Sequence, residues 1–439
     1  MLEKIFSLEQ HGTTVAQEIV GGLTTFMTMA YIIFVQPAVL SAAGMDFGAV
    51  MVATCVSSAV AIFLMAFLAN YPIALAPAMG HNFFFVYTVC LAMGIPWQTA
   101  LGANFISGAL FIVLSFFGFR ESLVNAIPNS LKQAIAVGIG LFIALIGFQW
   151  AGIVTYTPGT IVGLGKLNSP PVLLAVFGLF LITILYTLKI KGAIVLGIII
   201  TALVGIPFGI VKYHGIVSAP PSVAPTFFKL NIGAAFVLSL LPTIFILFFL
   251  DLFDTVGTLI GVSEQAGLVK DGKLPRARQA LLADAFGTVT GALMGTSTVT
   301  SYIESSTGVA SGARTGLANV TTGLLFLIAL FFYPLVRMIG GGFGVDGGSL
   351  YPVTAPALII VGTLMMSGVT KIDWKDFSEA IPAFLTIVIM PYAFSITEGI
   401  SVGFIFYTLL KLVTGRIKDV HPILIVFAVL FVLRYIFLM

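Results

Sequence analysis

The sequence predicts an all-α polytopic membrane protein of about fourteen transmembrane segments, arranged as seven plus seven with the second set inverted. Three observations predict it. The 439-residue chain is 59% hydrophobic and only 8% charged, with a mean hydropathy of +1.13, far from the composition of soluble domains. Its apolar residues recur in segment-length runs whose connections are no longer than loops. Two of those runs, in corresponding places of the two halves, are broken by Pro, Gly, Ser and Thr.

Residues 1–15 lack an apolar core followed by a small-residue cleavage site, so they read as a cytoplasmic lead-in rather than a signal peptide. Apolar segments then run over 16–42, 48–69, 72–93, 97–118, 131–150, 171–188 and 192–211. They continue over 233–262, 279–294, 297–311, 315–336, 352–368, 378–395, 397–414 and 421–438. The segments are numbered in that order below. With the N-terminus inside, fifteen of the 20 Lys and Arg fall on the inner side, among them Arg120, Lys270, Lys273, Arg314 and Lys411. Only Lys166, Lys212, Lys229 and Arg337 fall outside, which supports a cytoplasmic N-terminus; the expected location is the plasma (inner) membrane. The last segment, bearing Arg434, fits either an extra span or an interfacial helix.

Segment three, YPIALAPAMGHNFFFVYTV (71–89), is interrupted by Pro72, Pro77 and Gly80 before Asn82. Segment ten lies within GTSTVTSYIESSTGVASG (295–312), where Glu304 sits among glycines and hydroxyls. Lipid cannot satisfy backbone groups freed by such sequence, so it belongs inside the protein or along a cavity. Paired interruptions in corresponding positions point to a transporter's midplane site. A helix start near Asn82 would aim N–H groups at that site, with Asn82 as its cap. Gly80 would allow close approach of a ligand, and Phe83, first of three consecutive Phe, could stack on a planar one. His81 reads as a wall residue.

Segment eight, LSLLPTIFILFFLDLFDTVGTLIGVSEQ (238–265), carries Asp251 and Asp254 at i, i+3, on one helix face. An ionised carboxylate facing lipid costs at least ~2.5 kcal/mol, so intramembrane acids face cavities and mark function. Glu304 is the third. Three close carboxylates without an evident buried Lys or Arg cannot all carry charge, and at least one is expected to hold a proton in part of a cycle. That is a proton-coupling device in outline.

Other features read as structural. Cys55 and Cys90 lie in apolar runs, unlike metal or disulfide spacings. His11, His214 and His421 sit at segment ends. The basic loop VKDGKLPRARQALLADAFG (269–287) suits anionic lipid, with Asp284 pairing a loop cation or capping a helix. A net charge of +3 argues against nucleic acid, and no metal or cofactor motif is present.

The stretches GGLTTFMTMAYIIFVQPAVL (21–40), ALAPAMGHNFFFVYTV (74–89), DLFDTVGTLIGVSEQAGL (251–268) and IPAFLTIVIMPYAFSITEGI (381–400) resemble one known family, as does ALLADAFGTVTGALMGTSTVTSYIESSTGVASGARTGL (280–317). They are similar to the AzgA-like purine permeases of the nucleobase-cation symporter 2 (nucleobase-ascorbate transporter) family. The resemblance implies a core domain of 16–118 and 233–336 and a gate domain of 131–211 and 352–414, with short strands and half-helices in segments three and ten. It implies proton-coupled import of adenine, guanine or hypoxanthine. By motif, Asn82, Asp251 and Glu304 would contact the purine, Gly80 would shape specificity, and Asp254 would bind substrate or take the proton. Only the wider family suggests a homodimer. The chain departs from the family at His81 and Phe83 beside Asn82, and at Ala313 and Ala318, while Arg314 is retained.

Competing classes are a passive nucleobase facilitator or channel and a carrier of another nucleobase class, xanthine or uracil. An intramembrane enzyme lacks a nucleophile pair or zinc motif here, and an anion carrier would want an unpaired cation in an interrupted segment.

Overall fold

The fifteen apolar segments fold as helices or as strand-helix pairs, and the chain is a polytopic, mainly helical membrane protein. The computed structural model describes residues 2–117, 127–157, 160–269, 274–345 and 348–437. Arg120, Lys270, Lys273 and the last residues of segments four and fifteen lie outside that set. Among the described residues, eight helices are long and apolar enough to cross a bilayer, and segments three, seven, twelve, thirteen and fifteen are shorter apolar helices.

Local chemistry sets the ends of these elements. Segment one starts with a capping box, in which Thr14 Oγ1 accepts from Gln17 N at 3.3 Å and Gln17 Oε1 accepts from Thr14 N at 3.0 Å. It breaks after Met29 and resumes as the helix Ile32–Ser41, so Tyr31 sits at the junction. Segment two ends in a π-helical turn, Met65–Ala69, closed by Asn70 in the left-handed region. The Asn70 amide then ties three elements together, donating to Phe6 O at 2.9 Å and accepting from Gly316 N at 2.8 Å.

Segments one, two, four, nine and eleven pack on one another. Segments five, twelve, thirteen and fourteen form a second set, with segment six against seven and twelve. Small residues permit close approach in both, since helices in lipid associate largely through packing. A Cβ on Gly22 would meet Ala318 O at 2.2 Å, and one on Gly362 would meet Gly140 O at 2.4 Å. Ala313 and Ala318 are therefore the surfaces against which Gly21 and Gly22 rest.

Among the described residues, the strands form three two-stranded antiparallel sheets. Strand β1 (Leu75–Pro77) pairs with β4 (Val299–Ser301), β2 (Val154–Thr157) with β3 (Ile161–Leu164), and β5 (Phe343–Val345) with β6 (Gly348–Leu350). The second and third sheets lie on connections and are additions to the all-α expectation.

Lys411, counted above with the inner-side charges, is an interior residue. It is fully buried, 2.7 Å from Glu379 Oε1 and donating to Ser378 Oγ at 2.8 Å. Beside it, bonds from the Ser378 hydroxyl, the Arg416 guanidinium and the Ser378 N–H hold the Asp376 carboxyl below the usual carboxylate range. The last helix, Pro422–Phe437, packs along segments fourteen and eight, with the Phe427 ring 3.8 Å from that of Phe245.

Candidate functional site

Segments three and ten meet at the β1–β4 pair, in the register Leu75↔Ser301, Ala76↔Thr300 and Pro77↔Val299. Segment nine ends at Gly295, whose φ of +99° needs the left-handed region, and the chain turns into β4. Ala78 N donates to Thr298 O at 3.0 Å, and Tyr302 N to Ala74 O at 2.9 Å. Ala74 N donates to Ser305 Oγ at 3.0 Å and Asn319 Nδ2 to Ile73 O at 2.7 Å. Buried backbone that no helix satisfies thus finds strand and side-chain partners, as lipid demands. A short helix leaves each strand: Met79–Phe83 from β1, continuing as the π-helix Phe84–Ala92, and Ser305–Ala310 from β4.

Glu304 stands at the start of the second short helix and is half-buried. The buried Tyr31 hydroxyl donates to its Oε1 at 2.7 Å. Thr28 and Thr307 share a 3.0 Å hydrogen bond, and Thr307 also donates to Glu304 O at 2.7 Å. Segment one therefore orients this carboxylate through the junction at which Tyr31 sits.

Asn82 does not cap its helix. Met79 is the first helical residue, Ala78 holds the cap position without a side-chain bond, and Asn82 N already donates to Ala78 O at 3.0 Å. Strand pairing carries the chain past the prolines, so the helix begins one turn earlier than the cap reading expects. The fully buried Asn82 amide instead donates to Gln36 Oε1 at 2.7 Å, and Gln36 Nε2 donates to Thr296 and Ser297, both at 2.8 Å. Asn82 Oδ1 is a buried acceptor without a partner. A Cβ on Gly80 would meet Ile139 Cγ2 of segment five at 3.0 Å, so Gly80 sits where the two helix sets touch. Phe83 is fully buried, stacked on Tyr87 with centroids 5.8 Å apart and tilted against Trp150.

The two aspartates of segment eight diverge. Positions three apart differ by about 60° around a helix, enough here to send Asp251 inward and leave the Asp254 side chain 45% exposed. His81 Nδ1 lies 3.6 Å from Asp254 Oδ2, beyond a hydrogen bond. Further along that face, Gly257 and Gly261 are exposed with open space beside them. Asp251 is fully buried against segment nine, accepting from Thr288 Oγ1 at 3.1 Å, with the Asp284 carboxyl as its neighbour.

Asp284 does not cap its helix. It lies inside the helix Ala277–Met294, fully buried, accepting from Thr255 Oγ1 at 2.6 Å and Ser301 Oγ at 3.5 Å. Thr288 extends the cluster to β4 through Val299 O at 3.0 Å. Asp284→Val is expected to leave Thr255 unpaired and lower stability by about 1–3 kcal/mol, with Asp284→Asn milder. Melting curves of the purified variants check this, and an unchanged midpoint for Asp284→Val contradicts it.

Tyr31 and Gln36, which sequence reasoning passed over, and Asp284, which it read as structural, join the candidate site. Gln36 carried a usable signal, a lone amide in the apolar run IIFVQPAVL. Tyr31 carried none, because its partner lies 273 residues away.

The model of the Permease family matches residues 16–402. The chain is 47% identical to the guanine/hypoxanthine permease PbuG of Bacillus subtilis over 449 aligned positions, covering 100% of both chains. It is 46% identical to the adenine permease AdeP of Escherichia coli, covering 100% of this chain and 96% of that one. The fold is similar to the solved transmembrane domain of a cyanobacterium bicarbonate transporter, BicA, with TM-score 0.65 and 15% identity over 88% of this chain and 97% of that one. The protein is a membrane transporter rather than an enzyme. With its motifs spread along nearly the whole matched region, the chain belongs to the Permease family, in the AzgA-like purine permease branch of the nucleobase-cation symporters.

Proposed function

We propose that this transporter imports purine nucleobases (adenine, guanine or hypoxanthine) together with protons by alternating access across the plasma membrane. The observation that carries this reading is Glu304, an acceptor-only carboxylate when ionised, oriented by Tyr31 beside the β1–β4 crossing. A purine is planar and neutral, with donors and acceptors on its edge. Glu304 takes ring N–H groups, the free Asn82 Oδ1 marks a second acceptor, and Asp254 lies on the exposed face of segment eight beside His81. Asp251, set behind it with Asp284, holds that wall and is a candidate proton carrier. The relatives named for adenine and for guanine/hypoxanthine transport support the substrate class.

The two packed sets of helices support a core of segments one to four and eight to eleven moving against a gate of five to seven and twelve to fourteen. With the N-terminus cytoplasmic, the open face at Gly257 and Gly261 faces the cytoplasm. The acidic lining disfavours anions.

Counterflow of labelled hypoxanthine, adenine and guanine in proteoliposomes under an imposed pH gradient tests the proposal. Accumulation driven by inward proton flow is expected. Equilibration indifferent to the gradient would leave a passive facilitator, and exchange of xanthine or uracil alone would replace the substrate class.

A further inference from the structure

Segment eight has a second polar region at its other end. A cavity of about 210 Å³ lies there among Thr88, Ser239, Thr243, Thr397, Glu398 and Arg434. From Thr243 to Asp254 the helix rises roughly 16 Å, and the edge-to-face rings of Phe249 and Phe404, 5.8 Å apart, lie between. The cavity is therefore separate from the Glu304 region.

Its charges are matched. Arg434 Nη2 donates to Glu398 Oε1 at 2.7 Å, and the Tyr435 hydroxyl donates to Glu398 Oε2. Three polar atoms are left over: Arg434 Nη1 and the hydroxyls of Thr88 and Thr397 are buried without a hydrogen-bond partner. Thr88 and Thr397 are only 2% and 5% exposed. Buried polar groups are rarely left unpaired, and a cavity that holds several is built for water or a ligand. An anion would meet Glu398 and a cation Arg434, so the lining suits a neutral molecule whose edge carries acceptors. The remaining walls, including Ala92, Met93 and Pro242, are apolar and suit the faces of a planar ring.

We propose that this cavity is a second nucleobase site, where Arg434 Nη1 donates to a carbonyl oxygen or ring nitrogen of a neutral purine and the Thr88 and Thr397 hydroxyls pair with neighbouring edge atoms. The assignment rests on the purine reading above. It makes the last helix part of the transport path, a station at the end of segment eight away from the open face.

Equilibrium dialysis of the purified full-length protein with labelled hypoxanthine tests it. Two classes of site per chain are expected, the cavity being the weaker by tenfold or more. Glu304→Ala should remove the tight class and leave the weak one. Ser239→Trp, at an exposed rim position, should remove the weak class and leave the tight one. Thr397→Val, which neither fills the cavity nor touches the Arg434–Glu398 pair, should weaken the second class about tenfold. A single class in the unmodified protein, or a weak class indifferent to both Ser239→Trp and Thr397→Val, overturns the second site while leaving the first. Absence of binding by hypoxanthine, adenine and guanine overturns both readings.

Discussion

Glu304→Ala is expected to abolish purine binding while leaving a folded, membrane-inserted protein. The carboxylate is half-buried at the start of a short helix, and the bond its side chain accepts comes from Tyr31. Removing it leaves the buried Tyr31 hydroxyl without its partner, which costs the fold about 1–3 kcal/mol. The ligand loses more: two charge-assisted bonds at about 1.5–3 kcal/mol each amount to roughly 3–6 kcal/mol, or about a hundredfold to ten-thousandfold in Kd. Glu304→Gln keeps one acceptor oxygen and replaces the other with a donor. It should lose about tenfold to a hundredfold and no longer answer to pH through this position. Titration calorimetry with hypoxanthine, alongside size-exclusion profiles, separates binding from folding. Uptake by the alanine variant at the parent rate would remove Glu304 from the site.

Glu18→Ala is expected to have the largest effect on stability. Glu18 is fully buried in the first turn of segment one, yet its partners are 296 to 300 residues away. Its carboxylate accepts from Arg314 N at 2.8 Å, Thr315 N at 3.2 Å and Ala318 N at 3.1 Å, gathering N–H groups at the start of the helix Gly316–Ala329. Arg314 N and Thr315 N precede the helix and Ala318 N has only a long 3.4 Å bond to Thr315 O, and a negative charge there also meets the positive end of the helix dipole. Orphaning two or three of them costs about 1–3 kcal/mol each, a large share of the ~5–15 kcal/mol by which folded proteins are stable. The alanine variant should accumulate poorly and melt well below the parent, with Glu18→Gln between them because one acceptor oxygen survives. A parent-like melting temperature for Glu18→Ala would show that the three bonds are replaced by water.

Both residues look similar in sequence, a single acid in a small or apolar setting, and the structure gives them different surroundings, three backbone N–H groups for Glu18 and one tyrosine hydroxyl for the half-buried Glu304. The same separation applies to Asp251 and Asp254. Spacing places them on one helical face, but burial is decided by what packs against that face, and segment nine covers Asp251 while Asp254 stays exposed. Lys411 shows the same from the basic side: a cation counted with the inner-side charges is enclosed by Glu379 and Ser378 across a helix hairpin.

By itself, the sequence determined the membrane class, the order of the segments, the two interrupted segments and the family. Lipid imposes those features residue by residue, through apolar length and the need to satisfy every backbone group. Only the tertiary structure decided that β1 and β4 pair, that Asn82 answers to Gln36 rather than to its own helix start, and that Tyr31 orients Glu304. Each of these is a contact between residues far apart in the chain, and local periodicity carries no record of a partner that packing alone brings within reach.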